Sequence, residues 1–281
     1  MASPCEVIIQ SIDKQLASQL GEIIAAEVWR IEDKYNRYNQ RSVCSTINNQ
    51  AGHYVAIDEE TYLLLNFAEQ CYQLSDGLFD ISSGVLGNVW TFDGSNKLPT
   101  QTQVANVLPF VGWQKVNFNQ QQIMLAKGMK IDFGGIGKEY AVDRAIILAK
   151  QLTNKPVLVN LGGDLAVTGT RLNNTPWQVA IEHPDVDSVH NKSTADMIIS
   201  LNSGALATSG DARRFLIKAG KRYSHVLNAK TGWPIENAPR SITVVAPTCI
   251  QAGILATMSL LQGCNAETFL SEQAIKFWAR R

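Results

Sequence analysis

Residues 128–144, GMKIDFGGIGKEYAVDR, constrain this chain more than any other stretch. Met129 to Phe133 reads as a short strand carrying Asp132. Gly134, Gly135 and Gly137 then form a turn in which backbone approaches a ligand closely, because no Cβ intervenes. After Lys138, the residues Ala141, Val142, Ala145, Ile146, Ala149 and Leu152 repeat at helical spacing. A helix that begins straight after a glycine turn presents unpartnered N–H groups and the positive end of its dipole, which suit a phosphate. Asp132 is placed to accept from a base or a sugar, and Lys138 to neutralise a phosphate oxygen. A tight strand-to-helix turn without a ligand is the other reading of the same residues. The spacing is neither G-x-G-x-x-G nor the phosphate loop in which Lys is followed by Ser or Thr.

Composition narrows the partners. A chain of 281 residues suffices for one large domain or two intimately packed ones. Lys and Arg number 25, Asp and Glu also 25, and no long basic run occurs, which argues against nucleic acid. No apolar run approaches the ~18 residues of a membrane span, so no transmembrane segment is expected. The start, MASPCEVII, lacks a basic region followed by an apolar one, so no signal peptide is read there. As the sequence stands a cytoplasmic location is expected; an upstream leader would make it periplasmic or lipid-anchored. Cys5, Cys44, Cys71, Cys249 and Cys264 are scattered and show no C-x-x-C spacing, as expected of free thiols in a reducing compartment.

Along the chain, Glu6 to Ile12 alternates like an opening strand. Leu16 to Tyr38 is an amphipathic helix with Leu16, Leu20, Ile23, Ile24, Val28 and Ile31 on one stripe. Thr61 to Leu74 reads as a second helix ended by Ser75-Asp76-Gly77. In GLFDISSG, Asp80 is a helix-cap candidate with an incomplete capping box. Val104 to Val111 reads as a short helix, and Trp113 to Leu125 as a hairpin bending at Asn117 to Gln120. Pro156 to Thr168 reads as two apolar strands turning at Gly162-Gly163-Asp164. Further strands fall at Trp177–Glu182, Met197–Asn202 and Ser241–Ala246, with His225 on another. His183 and His190 read as solvated. The small residues of GALATSGDARRF admit either a ligand or a neighbouring strand, and Ile250 to Leu261 reads as a final buried helix carrying Thr257.

No Ser/His/Asp arrangement, H-E-x-x-H or Cys/His cluster stands out, whereas glycine turns, Lys138, Asp132, Asp80, Thr257 and His225 suit phosphate chemistry. Taken together, MASPCEV, LSDGLFDISSGVLGNVW, IDFGGIGKEYAVDRA, LVNLGGDLAVTG, ALATSGDARRF, YSHVLNAKTGWPI and VVAPTCIQAGILATMSLL resemble the ApbE-type FAD:protein FMN transferases. The segments fall in that family's order and cover nearly the whole chain.

The resemblance implies an α/β fold (mixed α+β), one domain over 1–281, with FAD in a cleft between two closely packed lobes. It implies that Met1, Tyr38, Phe79, Asp80 and Ile81 surround the flavin nucleotide, that Asp132 and Lys138 hold the dinucleotide, and that Leu227 contacts the ligand. Magnesium would meet the Gly135 carbonyl and the Thr257 hydroxyl, and His225 would be the catalytic histidine, with Lys138 beside the phosphates. The implied reaction moves FMN from FAD to a Ser or Thr hydroxyl of a target protein and releases AMP. A homologue that binds FAD without transfer, and a pyrophosphatase giving FMN and AMP, are the alternatives.

The chain departs from the family pattern in places. H-x-x-D-P reads His225-Val226-Leu227-Asn228-Ala229, and K-G-Y reads Lys138-Glu139-Tyr140, where Glu139 is expected to be exposed. The metal-binding carboxylate of A-D-A-L-x-T falls on Gly253, so magnesium is expected to bind weakly. An Asp at 253 would share a helix face with Thr257 and is expected to strengthen that site.

Overall fold

The segment PVLVNLGGDLAVT folds into the hairpin its two apolar runs predict, and this hairpin lies inside the main sheet. The structure, a computed structural model, describes residues 4–11, 13–182, 195–212 and 214–281. Met1, His183 and His190 lie outside the described residues. In chain order the strands are β1 (Cys5–Ile9), β2 (Val55–Ala56), β3 (Asn117–Phe118), β4 (Gln122–Met124), β5 (Val157–Leu161), β6 (Asp164–Val167) and β7 (Trp177–Glu182). They continue as β8 (Ala195–Leu201), β9 (Gly204–Gly210), β10 (Phe215–Lys218), β11 (Lys221–Ser224), β12 (Ser241–Ala246) and β13 (Lys276–Arg280). The helices are α1 (Lys14–Tyr35), α2 (Val43–Asn49), α3 (Glu59–Leu74), α4 (Gln101–Val107), α5 (Gly137–Leu152), α6 (Cys249–Leu261) and α7 (Ala266–Glu272).

A six-stranded sheet in the order β1-β5-β6-β9-β12-β13 is the backbone of this mixed α/β fold, and every neighbouring pair is antiparallel. The two-residue period sends alternate side chains to opposite faces. Val157, Val159 and Leu161 of β5, Ala205 and Ala207 of β9, and Ile242 and Val244 of β12 face the core under the helices. Leu158, Leu165, Val167 and Leu206 face the other way, against the β7–β8 hairpin and its Trp177. Helices α5 and α6 lie on the first face, and α1 packs on α5. The small residues of ALATSG let α6 come close to β9, and the same segment lies between its strand neighbours β6 and β12, the close strand approach expected of it.

Several boundaries differ from expectation. The first helix ends at Tyr35, where the Asn36 N–H bonds the Glu32 carbonyl and the backbone turns extended. Its stripe buries Leu20, Ile24, Val28 and Ile31, but Ile23 is 44% exposed. Trp113 begins a single 3₁₀ turn, so the hairpin starts only at Asn117 and bends at residues 119–121. The helix carrying Thr257 is not the last element, because α7 and β13 follow and β13 closes the sheet edge beside β12. Among the described residues no helix is long and apolar enough to cross a membrane.

Helices α1, α3 and α5 are tied by one carboxylate. Glu60 accepts from Arg30 (2.7 Å) and Lys34 (2.6 Å) on α1 and from the Tyr140 hydroxyl (2.8 Å) on α5. The Arg30 hydrogen bond is the largest cause that holds its carboxyl down at about 2, against an ordinary 4.5, with burial opposing. A carboxyl depressed in the folded state contributes stability above its unfolded value, and that stability is lost as pH falls through the folded one. Glu60→Gln should cost about 1–3 kcal/mol at pH 7. In urea titrations it should also flatten the loss of stability between pH 4.5 and 2. An unchanged acid limb would show that other carboxylates set it.

Candidate active site

The glycine turn is built by replacing a ladder with side chains. Residues 129–132 run extended but join no sheet, contrary to the strand expected there. Asn48 does the pairing instead: its Oδ1 accepts from the Ile131 N–H (2.7 Å) and its Nδ2 donates to the Ile131 carbonyl (2.9 Å). The Asp132 N–H donates to the Ile81 carbonyl (2.9 Å), so the 81–88 segment lies directly against 131–132. Only glycine allows this at position 84, since a Cβ would stand 2.8 Å from the Ile131 carbonyl carbon. Asp132 then caps the 3₁₀ turn Phe133–Gly135 by accepting from the Gly134 N–H (2.9 Å). A Cβ on Gly135 would lie 3.2 Å from the Phe79 ring, which brings Phe79, Ile81, Asp132 and Gly135 to one place.

Arg37 connects this turn to the surface. It pairs with Asp132 (2.8 Å), donates to the Tyr38 hydroxyl (2.8 Å) and sits 4.9 Å from the Tyr38 ring centre. Tyr38 is 76% exposed, a free aromatic face beside the turn. Asp80 is different. It is buried, and its two oxygens accept from the Ser82 N–H (2.7 Å) and the Trp113 N–H (3.0 Å). It therefore caps residues 81–88, and burial raises its carboxyl despite these bonds. A cavity of about 280 Å³ lies against it, lined also by Tyr72, Gln114 and Lys230.

From Gly137 the chain enters α5, whose N-terminus has no side-chain cap, leaving its first N–H groups available. Lys138 in its first turn pairs with Asp164 of β6 at 2.6 Å. Burial opposes the lysine charge most strongly, but the Asp164 and Glu139 carboxyl groups together outweigh it and raise the ammonium overall. Asp164 is itself buried, and it also accepts from the Thr208 N–H of β9 (3.1 Å). Glu139, expected to be exposed, is 7% exposed. The helix turns it inward over α6, where a Cβ on Gly253 would stand 2.5 Å from its Cγ and 3.0 Å from Oε1. Burial pushes the Glu139 carboxyl well up, and the neighbouring Asp164 carboxylate adds to the push. Its Oε2 has no hydrogen-bond partner. An Asp at 253 therefore does not meet the open space expected of it.

Helix α6 is held against α5 by Asp143, which accepts from the Cys249 N–H (2.7 Å) and the Ile250 N–H (2.9 Å). This fixes Thr257, whose hydroxyl shares a 2.8 Å hydrogen bond with Ser209 of β9. Among the described residues no group of three His, Cys, Asp or Glu side chains is arranged as a metal site. The residues that could meet a cation are Glu139, Asp164, the Thr257 and Ser209 hydroxyls and backbone carbonyls such as that of Gly135. All are oxygen donors, which suits magnesium completed by substrate phosphates. The orphaned, buried Glu139 oxygen is the observation that makes this fit.

His225 stands just beyond β11, not on it. Its Nδ1 lies 3.1 Å from the Arg214 carbonyl. A carbonyl only accepts, so Nδ1 carries the proton and Nε2 keeps its lone pair. The ring packs edge-on to Phe92, with centroids 6.3 Å apart. Burial lowers its pKa from 6.5, the Arg214 carbonyl opposes this, and the charges of Arg214 and Lys138 lower it further. The Arg214 loop is anchored by Asp211, paired with Arg222 (2.9 Å) and Arg240 (2.8 Å). Leu227 bridges to Pro234 and packs with Trp90 and Trp233. Asn228, which replaces an acid of the H-x-x-D-P pattern, accepts from the Lys230 N–H (2.8 Å) and shapes the 228–232 turn. A neutral amide does that as well as a carboxylate.

The ApbE family pattern matches residues 1–277. The chain belongs to the ApbE family. The FAD:protein FMN transferase of Haemophilus influenzae is 30% identical over 237 residues, spanning 82% of this chain and 66% of that protein. That of Escherichia coli K12 is 27% identical over 264 residues, 91% of this chain and 74% of that protein. The ApbE protein of Thermotoga maritima superposes with a TM-score of 0.85 at 30% identity, covering 97% of this chain and 88% of the other. The flavin transferase ApbE of Vibrio cholerae shares the fold, with a TM-score of 0.81 at 24% identity over 98% and 94% of the chains. In this ApbE chain the structure brings Tyr38, Phe79, Ile81, Asp132 and Gly135 around the turn, places Lys138 in the first turn of α5 against Asp164, and places Thr257 within α6 against Ser209.

Sequence reading passed over Arg37, Asp143, Asp211 and the roles of Glu139 and Asp164. A lone acid in the apolar run LVNLGGDLAV was a usable signal for Asp164, since a buried carboxylate needs a partner. Glu139 gave none, because its burial depends on a glycine far along the chain. If the geometry at His225 is as described, ¹⁵N–¹H spectra of its ring should show a neutral Nδ1–H tautomer at pH 7. The imidazolium should form only as pH falls below the ordinary 6.5. A midpoint at or above 6.5 would contradict the burial that lowers it.

Proposed function

We propose that this chain transfers FMN from FAD to a Ser or Thr hydroxyl of a target protein, releasing AMP. The observation that carries the reading is His225, whose ring is oriented by the Arg214 carbonyl so that Nε2 is unprotonated and free near neutral pH. Family membership and the names of the relatives support it. A hydroxyl is a poor nucleophile at neutral pH, so a positioned base of this kind is what the reaction requires.

In this reading FAD lies in a cleft between two lobes. Tyr38, which is exposed, and the half-buried Leu227 offer aromatic and apolar surface for its rings, and the buried Phe79, Asp80 and Ile81 back that surface. Asp132, already paired with Arg37, accepts from sugar or base hydroxyls and N–H groups. The uncapped start of α5 and Lys138 receive the diphosphate. His225 Nε2 takes the proton of the acceptor hydroxyl as its oxygen bonds to the FMN phosphorus. The P–O bond to AMP breaks, and AMP leaves with the bridging oxygen. Magnesium would be held by the Gly135 carbonyl and the Thr257 hydroxyl and would supply charge compensation on the phosphate oxygens.

Incubation with FAD, magnesium and a candidate acceptor domain, followed by mass spectrometry, tests the proposal. The expected product is FMN joined to a Ser or Thr, with AMP in equal amount. Free FMN and AMP alone would make the chain a pyrophosphatase, and FAD bound but unchanged would make it a carrier. His225→Ala should leave FAD binding nearly intact and lower transfer by roughly 10²–10⁴-fold. Transfer at the wild-type rate would leave His225 a structural residue.

A further inference from the structure

The strongest unexplained feature is a buried carboxyl group with one oxygen that nothing meets. Glu139 is 7% exposed, and its Oε2 lacks any hydrogen-bond partner. A buried carboxylate without a partner is costly, and a second carboxylate, Asp164, close by makes the cost larger. Lys138 makes its ion pair with Asp164, at 2.6 Å, and reaches Glu139 only through the longer-range pull of its charge. On the facing side Gly253 has no side chain, and Thr257 lies one helical turn further along the same face.

The space beside Gly253 is not empty. A side chain starting there would run into Glu139 Cγ at 2.5 Å, Cδ at 3.0 Å and Oε1 at 3.0 Å. The carboxylate absent from α6 at 253 is thus replaced, in the same volume, by one entering from the first turn of α5. We propose that Glu139 is the carboxylate ligand of the divalent cation in this chain, acting with Thr257, and that Gly253 is glycine to make room for it. This builds on the flavin-transfer reading, since FAD phosphates would complete the coordination. A carboxylate from Glu139 removes the reason to expect a weak site, because magnesium is ordinarily held by one or two carboxylates together with substrate phosphates.

The test uses Mn²⁺ and Mg²⁺ as probes. Mn²⁺ is titrated into the protein with saturating FAD and followed by the EPR signal of the free ion, and Mg²⁺ is titrated by calorimetry. Glu139→Gln keeps the volume and removes the charge. It should weaken cation binding at least roughly tenfold, the lower end of what loss of even an outer partner of a metal ligand costs. The paired change Glu139→Gly with Gly253→Asp moves the carboxylate back to α6 and should return affinity to near the wild type. Gly253→Asp alone should lower the melting temperature and fail to tighten binding, because both side chains claim one space. Glu139→Gln binding as tightly as the wild type would overturn the proposal, as would a gain in affinity from Gly253→Asp alone. Both readouts are separate from transfer. Glu139-dependent cation binding without any FMN transfer would sink the transferase reading and leave this one standing. Transfer with cation binding indifferent to Glu139 would do the reverse.

Discussion

The contact on which the rest depends is the ion pair between Lys138 and Asp164. Asp164 opens β6, with its side chain only 3% exposed, and burying such a carboxylate is affordable only if its charge is met. Lys138 meets it from the first turn of α5, and the Thr208 N–H meets it from β9. One buried anion therefore fixes the start of a helix against two strands of the sheet. The glycine turn before it inherits that position, as does the uncapped helix end. Lys138 is accordingly a charge held in place by the protein's own frame, and a fixed charge is worth most to a reaction when it is preorganised in this way.

A second acid performs the equivalent task for the other helix. Asp143, one helical turn beyond Glu139 on α5, receives the first N–H groups of α6. With Ala205 and Ala207 on β9 allowing close approach, α6 has little freedom to shift or turn. Packing at crystal-like density converts this into precision at Thr257. The histidine is positioned by a separate device, the Asp211–Arg222–Arg240 cluster beneath the loop that offers the Arg214 carbonyl. The frame and the histidine are thus held by different networks.

What the sequence disclosed follows from how local each feature is. The β5–β6 hairpin, α1, α3, α5 and α6 were legible because apolar periodicity and turn glycines are local signals. The segment before the glycine turn looked like a strand because its residues are extended, but its pairing is done by Asn48, a side chain that no periodicity marks. The last strand was missed because KFWAR alternates too briefly to read, and only the open edge of β12 gives it a place. Around the candidate site, residues in motifs are legible as candidates, whereas Arg37, Asp143 and Asp211 act through partners distant in sequence and are not. Tyr38 and Asp132 were each legible, but the guanidinium joining them was not.

Glu139 and Gly253 show why such a gap matters for function. Taken alone, a glycine at 253 reads as a lost ligand, and a glutamate after Lys138 reads as a harmless surface change. Each reading is reasonable, because sequence gives no view of the partner. In three dimensions the two positions compete for a single volume, so only one can carry a side chain. A close-packed interior tolerates rearrangements that conserve volume far better than ones that leave a void or add bulk. Charge follows volume here, since the acid in this space enters from α5 and not from α6. A missing acid at a motif position is therefore weak grounds for calling a site dead until the space around it has been inspected for an acid arriving from another element.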